Sequence, residues 1–486
     1  MALQPPFRDT VTNMHITPSC TTISLDLTAP AAVFLRLRDR FPRVFLFESS
    51  DYHGAGDCRS FVCCDPLAEC VIANGECSIR YGSSECEPFR VEPANGLSQA
   101  LSQFMEGIIV REPATPLPKG VAPGVFGHIA WSAIPYVEQI TFERPTLSQF
   151  KIPEVHFTLF RYVIACNPFK GTAYVLEHHL HGEQRSADTT EEFIRTALQG
   201  EANAYPFSAV GVEESLQSDD EFLNLVQTCK RHIARGDVFQ IVPSRRYLQR
   251  FEGDDFQVYR ALRTINPSPY LFYCDYGGYR LLGSSPEAQI SIVDGQAGIF
   301  PIAGTYARTG DDEVDRAKAA ALLEDPKENA EHCMLVDLAR NDLSRHCNGV
   351  HVAAFRETHF YSHLIHLVSK VVGTLPDRSL PTVLQVVCDT FPIGTLSGAP
   401  KHRAMQILDC NEPHGRGFYG GCIGYIGFNG DVVLGIMIRS LLSMHNTLAY
   451  QAGMGVVIDS VPESELAEAH TKLGALRAAI AKAQIL

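Results

Sequence analysis

The stretch FLNLVQTCKRHIARGDVFQIVPSRRY, residues 222–247, changes its period part-way along. Apolar residues fall at Phe222, Leu225, Val226, Cys229 and Ile233. That is the three-and-four spacing of one helical face, and Gly236 closes it. From Asp237 the spacing is lost, and β-branched and aromatic residues predict a strand to Tyr247. Downstream, YLFYCDY (270–276), YRLLGSS (279–285) and QISIVDG (289–295) continue as strands. Two helices follow, roughly 311–323 and 326–342, and PESELAEAHTKLGALRAAIAKA (462–483) predicts a C-terminal helix. Strands and helices mixed in this way place the chain in the α/β or α+β class.

Upstream the pattern is weaker. TTISLDL (21–27) and RVFLFES (43–49) have strand character, and EPATPLPK (112–119) is a proline-rich loop. Residues 183–220 are polar and charged, which places a domain boundary there with a helix inside it. A chain of 486 residues is long for a single ordinary core.

Composition narrows the function classes. There are 41 basic and 55 acidic residues, a net charge of −14, and no basic stripe of the kind that tracks nucleic acid. An anionic substrate must therefore find local positive charge in its pocket. No apolar run reaches the roughly 18 residues needed to span a bilayer, and the N-terminus has no secretory pattern. Fifteen cysteines, an odd number, with no C-x-x-C pairs, predict free thiols in a reducing cytoplasm.

Three features carry chemistry. First, Glu328 and Glu331, and likewise Glu465 and Glu468, stand three apart on expected helices, so each pair shares a face. Two such faces brought together offer oxygen ligands to Mg²⁺, which takes only one or two carboxylates plus water and substrate oxygens. Solvated glutamates are the plainer reading, and Asp325, Pro326 and Glu328 also fit a helix N-terminus. Second, PIAGT (301–305), FPIGTLSGAPK (391–401), YGGCIGY (419–425) and QAGMGVV (451–457) are glycine-rich turns. Such turns leave backbone N–H groups open to an anion, although each alone is only a tight turn. GAPKHRAMQIL reads as a helix entry with Pro400 in its first turn. Third, Gly420–Gly424 fits the G-x-C-x-G nucleophile turn of glutamine amidotransferases, but no His-x-Glu element follows, so Cys422 reads as a small buried residue.

Taken together, GDVFQIVPSR, SSPEA, PIAGT, AEHCMLVDLARNDL, HLVSKVVGTL, FPIGTLSGAPKHRAM, GFYGGCIGYIG, MIRSLL and QAGMGVVIDSVPESELAEAHTK resemble the chorismate-utilising enzymes, specifically those of the anthranilate synthase component I type. The likeness is strong over 221–482, while FLFES (45–49) resembles the family's regulatory segment. The resemblance implies an α/β (α+β composite) fold, with large antiparallel sheets flanked by helices around a deep cleft. It implies an N-terminal regulatory domain over 1–180 and a chorismate-binding catalytic domain over 221–486. Mg²⁺ would be held by Glu331 and Glu468, with Glu328 and Glu465 alongside through water. Lys472 would support these carboxylates. The enolpyruvyl carboxylate of chorismate would meet Tyr419, Arg439 and the backbone amides of Gly453, Met454 and Gly455, while Gly304 and Thr305 would contact the ring region. Glu287 would be the general acid for the leaving C4 hydroxyl, its pKa raised by the substrate and metal-site carboxylates, and His366 would act in pyruvate elimination.

Within the family, Gln240 stands where water-adding members carry a Lys base, and Ala303 where aminodeoxychorismate synthases carry a Lys nucleophile. Both point to direct amination at C2, giving anthranilate and pyruvate. Aminodeoxyisochorismate or aminodeoxychorismate synthesis, or a non-catalytic chorismate or tryptophan sensor, are the alternatives. Glu48 and Ser49 with Pro269, Tyr270 and Leu271 resemble an L-tryptophan inhibitory site. The implied partner is a glutamine amidotransferase subunit, component II, in a hetero-oligomer.

Overall fold

The computed structural model describes residues 13–49, 60–167, 170–183, 186–360 and 364–486. The opening stretch behaves largely as its spacing predicts. The helix runs Asp219–Ala234, and Ser218 and Glu221 cap it reciprocally. Phe222, Leu225, Val226 and Cys229 are buried, and Gly236 follows with φ 78°. The expected strand to Tyr247 is instead two pieces, Gln240–Ile241 and Ser244–Gly253. The break falls at Val242–Pro243, where proline has no N–H to give a ladder. The Pro243 carbonyl instead accepts from Met454 N at 3.1 Å. TTISLDL is also displaced, since the strand spans Met14–Ser24. Pro400 stands at the N-cap of the helix Lys401–Asn411 rather than inside its first turn.

Two long runs of strands make the body, and among the described residues they are antiparallel except for Met14–Ser24 against Ile108–Val110. The first run passes from the N-terminal strands through Val155–Asn167, Ser60–Ala73 and Val44–Glu48. It continues through Tyr270–Asp275, Arg280–Ser285, Ser440–Met444, Thr447–Gly453 and Ser244–Gly253. The second run leaves the same strand, Val155–Asn167, through Gly124–Ile129, Cys422–Gly427, Val432–Ile436 and Ala288–Val293. It ends on Gln296–Ile299 and Leu364–Thr374, the latter flanked by Ile302–Ala307 and Asn348–Phe360. The stretches 1–180 and 221–486 thus share both runs. The polar segment between them holds the helix Ala187–Gln199 and a strand, Phe207–Ser215, paired to Ser244–Gly253.

Strand alternation sorts the core. Leu281 and Leu442 join Phe45, Phe126, Phe160, Phe272 and Ile423 in a cluster drawn from both runs. Their chain neighbours Leu282 and Leu441 point the other way, into a cluster with Phe256, Tyr259, Leu473 and Leu476 of two covering helices. The outer face of the second run, with Ile290, Ile292, Val432 and Leu434, packs on Val383, Val387, Val336 and Leu343 of two further helices. The two runs, joined through Val155–Asn167 into one continuous sheet, pack face to face as two layers with helices outside, a mixed α/β fold. No helix among the described residues is long and apolar enough to cross a membrane.

One feature of this topology positions the site. The chain crosses from the first run to the second between Arg280–Ser285 and Ala288–Val293, and returns between Val432–Ile436 and Ser440–Met444. These strands are neighbours in both sheets, so the two links lie side by side. Ile436 N donates to Glu287 O at 3.0 Å, and Ser284 N donates to Arg439 O at 3.1 Å.

Candidate active site

Glu287 and Arg439 sit on those two adjacent links. Arg439 holds φ +47°, a left-handed conformation costly for a side-chain-bearing residue and one found where function or tight packing demands it. Glu287 is buried, and the Thr395 hydroxyl donates to its Oε1 at 3.1 Å. Burial drives its pKa up to about 8, while Thr395, Lys472 and Arg439 pull the other way. The cause of the rise is desolvation, and none of the metal-site glutamates contributes to it.

The acidic pairs lie on two helices, Pro326–Ser344 and Pro462–Ala483, the latter spanning the range read from the sequence. Asp325 Oδ1 accepts from Glu328 N at 3.1 Å, so the helix-start reading holds for the Glu328 backbone. The Glu328 carboxylate turns toward Gly304, where a Cβ would lie 3.3 Å from Oε2 and 2.8 Å from Leu322 Cδ1. Gly304 also has φ +69°, so both space and backbone call for glycine. Burial, Glu328 and Glu468 all raise the Glu331 pKa, against Lys472. Lys472 Nζ bonds Glu468 Oε1 at 2.8 Å and Gly453 O at 3.0 Å. Glu465 is buried. Among the described residues no three His, Cys, Asp or Glu side chains converge on one point as a metal cage. What the helices present is a set of mutually repelling carboxylates with hard oxygen donors, which suits a divalent cation that takes few protein ligands.

His366 lies on the strand Leu364–Thr374 opposite Thr305. Its Nδ1 donates to Gly304 O at 3.0 Å, because a carbonyl can only accept, and Nε2 is thereby the basic nitrogen. Burial and Arg439 lower its pKa to about 4, so it is neutral above that pH. Tyr419 is buried, and burial holds its phenol well above the ordinary range, hence protonated. A Cβ on Gly453 would sit 3.1 Å from the Tyr419 hydroxyl. Met454 departs from expectation, because its N–H is given to Pro243 O within the fold and is not left for a substrate carboxylate. A cavity of about 360 Å³ lies elsewhere, lined among others by Trp131, Arg144, Glu412 and Arg416, and none of the residues named for the site borders it.

Residues 42–478 match the chorismate binding enzyme family. The chain belongs to that family. Relatives include anthranilate synthase component 1 of Acinetobacter calcoaceticus, 36% identical, covering 94% of this chain and 93% of that protein. That of Thermus thermophilus is 33% identical, covering 97% and 99%. Among solved structures, anthranilate synthase component I from Streptococcus pneumoniae superposes with a TM-score of 0.71 at 28% identity, covering 86% of this chain and 92% of that one. The menaquinone-specific isochorismate synthase MenF of Escherichia coli gives 0.72 at 19% identity, covering 97% and 96%, a likeness of fold alone.

For a chorismate binding enzyme, two contacts escaped the sequence. Gln240, considered only as the absence of a lysine, donates from Nε2 to Glu331 Oε1 at 2.8 Å. Gly455 makes room for it, since a Cβ there would lie 2.7 Å from Gln240 Nε2. Thr395 had been one letter in a glycine-rich turn. Cys422 is fully buried in a strand and its thiol is pushed far up by burial, as befits a core residue. Of the residues expected for tryptophan, Glu48 pairs with Leu271 across neighbouring strands, while Tyr270 pairs with Ser285 on the other side of its strand. The Glu48 carboxylate already takes the Tyr259 hydroxyl at 2.7 Å and Arg263 Nε at 2.9 Å.

Proposed function

We propose that this chain is the synthase component of anthranilate synthase, a lyase that converts chorismate and ammonia to anthranilate, pyruvate and water. The observation that carries the reading is the buried Glu287, whose pKa of about 8 keeps it protonated at neutral pH. A protonated carboxyl can give its proton to the C4 hydroxyl as ammonia adds at C2, so that water departs rather than hydroxide. Arg439 and the Tyr419 hydroxyl are suited to hold the enolpyruvyl carboxylate, together with Gly453 and Gly455. Neutral His366 can take the C2 proton through Nε2 as pyruvate leaves. Gly304 and Thr305 would border the ring. Mg²⁺ would be held by Glu331 and Glu468, with Glu328 and Glu465 alongside and Lys472 balancing charge. When bound, the ion supplies Lewis-acid neutralisation of the ring carboxylate.

Ammonia would come from a separate glutamine amidotransferase, component II, in a hetero-oligomer. Residues 1–180 would regulate and 221–486 catalyse. L-Tryptophan would inhibit at Ser49, Glu48, Pro269, Tyr270 and Leu271, where the ladder between Val44–Glu48 and Tyr270–Asp275 ends. The free thiols of the described cysteines accord with a cytoplasmic setting.

Fluorescence of anthranilate, with chorismate, ammonium salt and Mg²⁺ at mildly alkaline pH, tests the reading. Product should appear with ammonium and not with glutamine until component II is added. An aminated, non-aromatic product would favour aminodeoxyisochorismate synthesis instead. Glu331→Gln and Glu468→Gln should each lose Mg²⁺ binding by calorimetry while remaining folded. Tryptophan titration with and without a chorismate analogue, repeated on Ser49→Phe, tests the inhibitory site. Binding indifferent to both changes refutes it.

A further inference from the structure

The stretch FPIGTLSGAPK, residues 391–401, has no place among the substrate contacts above, yet it ties the two halves of the site together. At one end it holds the acid. Thr395 Oγ1 donates to Glu287 Oε1 at 3.1 Å. Gln289, fully buried two residues beyond the acid, donates to Thr390 O at 2.8 Å and accepts from Ile393 N at 3.1 Å. At the other end Lys401 Nζ meets Asp342 Oδ2 at 2.8 Å and Thr390 O at 3.4 Å. Asp342 belongs to the helix Pro326–Ser344, which also carries Glu328 and Glu331. Between these ends the backbone rests on that helix, for a Cβ on Gly394 would fall 1.9 Å from Leu338 Cδ2. Asp342 and Thr395 line one cavity of about 10 Å³.

Lys401 and Asp342 are both buried. A buried ion pair gains little net stability, because desolvation offsets the attraction, so its use lies in fixing an arrangement. We propose that the Lys401–Asp342 pair is a positioning device for Glu287. It locks residues 390–401 onto the carboxylate-bearing helix, keeping Thr395 bonded to the acid and the acid in place relative to Glu331. The Thr395 hydroxyl donates to the carboxylate form and so opposes the effect of burial on Glu287. With the lock undone, Glu287 should keep its proton to higher pH.

The inference rests on the proposed reading only in treating Glu287 as the acid, and its test needs no turnover. The Glu287 carboxyl is titrated by the C=O stretch in infrared difference spectra, assigned by its loss in Glu287→Gln. A single Lys401 change leaves a bare buried charge, so both partners are replaced, as Asp342→Leu with Lys401→Met. If thermal melting shows that protein unfolded, Asp342→Asn with Lys401→Met is read in its place. The expected result is an upward shift of about one pH unit, the effect of one hydrogen bond to a charged group. Thr395→Val should give the same shift, and the combined variant no more. A shift in Thr395→Val with none in the ion-pair variant overturns the proposal, as does a shift in neither. If the wild type makes no anthranilate the functional reading falls, while this titration still decides the positioning role.

Discussion

Glu287 at the sheet crossover and Glu48 at the edge of the first run are equally withdrawn from water, each 6% exposed. Burial raises the pKa of both. Their partners separate them. Glu287 has one neutral hydroxyl in contact, with Lys472 and Arg439 acting only as charges nearby, and its pKa reaches about 8. Glu48 has a guanidinium at 2.9 Å and a phenol at 2.7 Å, both favouring the anion. Burial acts almost unopposed on Glu287, whereas a guanidinium and a phenol in direct contact oppose it at Glu48. Depth alone therefore does not make a general acid; the absence of a directly bonded cation does.

The largest effect expected from this contrast is on turnover. Glu287→Gln keeps shape and burial but has no proton to give, so kcat should fall on the order of 10²-fold or more while chorismate still binds. Steady-state kinetics with isothermal titration checks it, and near-normal kcat would remove Glu287 from the role. In the wild type, ammonium-dependent kcat should rise with free ammonia and then fall as pH passes about 8, where Glu287 loses its proton.

Stability should register the same proton. Native Glu287 binds it more tightly than the unfolded chain does, so the native state is favoured most below the ordinary carboxyl value of 4.5. That advantage is lost as pH rises toward about 8. Relative to Glu287→Gln, the wild type should lose a few kcal/mol, to order of magnitude, between pH 5 and pH 8.5. Urea unfolding at the two pH values measures it, and an unchanged difference would contradict it.

For Glu48 the test is to remove the cation. Arg263→Met should destabilise by about 2 kcal/mol at pH 7, less than a wholly buried pair would, because the Arg263 side chain is 37% exposed. The deficit should shrink as pH falls and Glu48 protonates, a step that burial moves to higher pH than for an ordinary carboxyl. Tyr259→Phe removes only a hydrogen bond, and its cost should be about 1 kcal/mol in the same assay. Equal costs for the two changes would mean that the guanidinium is not what holds the charge.

How legible all this was depends on distance along the chain. The C-terminal helix, the helices Asp312–Glu324 and Pro326–Ser344 and the hairpin strands at 270–293 declare themselves by local spacing, and Glu328, Glu331, Glu465 and Glu468 follow as pairs on helix faces. The strand break at Pro243 was misread because the group that compensates for it, Met454 N, lies more than two hundred residues away. Separations of 91, 108 and 59 residues likewise hide Gln240 on Glu331, Thr395 on Glu287 and Lys401 on Asp342. Glu287 itself carries no local signal. SSPEA gained meaning from resemblance, and its burial comes from a crossover that only the paired sheets create.

That crossover also sets where the chain can change length. The links 286–287 and 437–439 are short, and strand side chains alternate faces, so one residue more or fewer would turn a whole strand inside out and carry the acid or the arginine with it. The turns at the outer ends of these strands are different. Asp294–Gly295 and His445–Asn446 make their turns with positive φ at both residues, away from the seam. Lineages of this fold are therefore free to lengthen at these hairpin tips, while the crossover links stay fixed by strand parity.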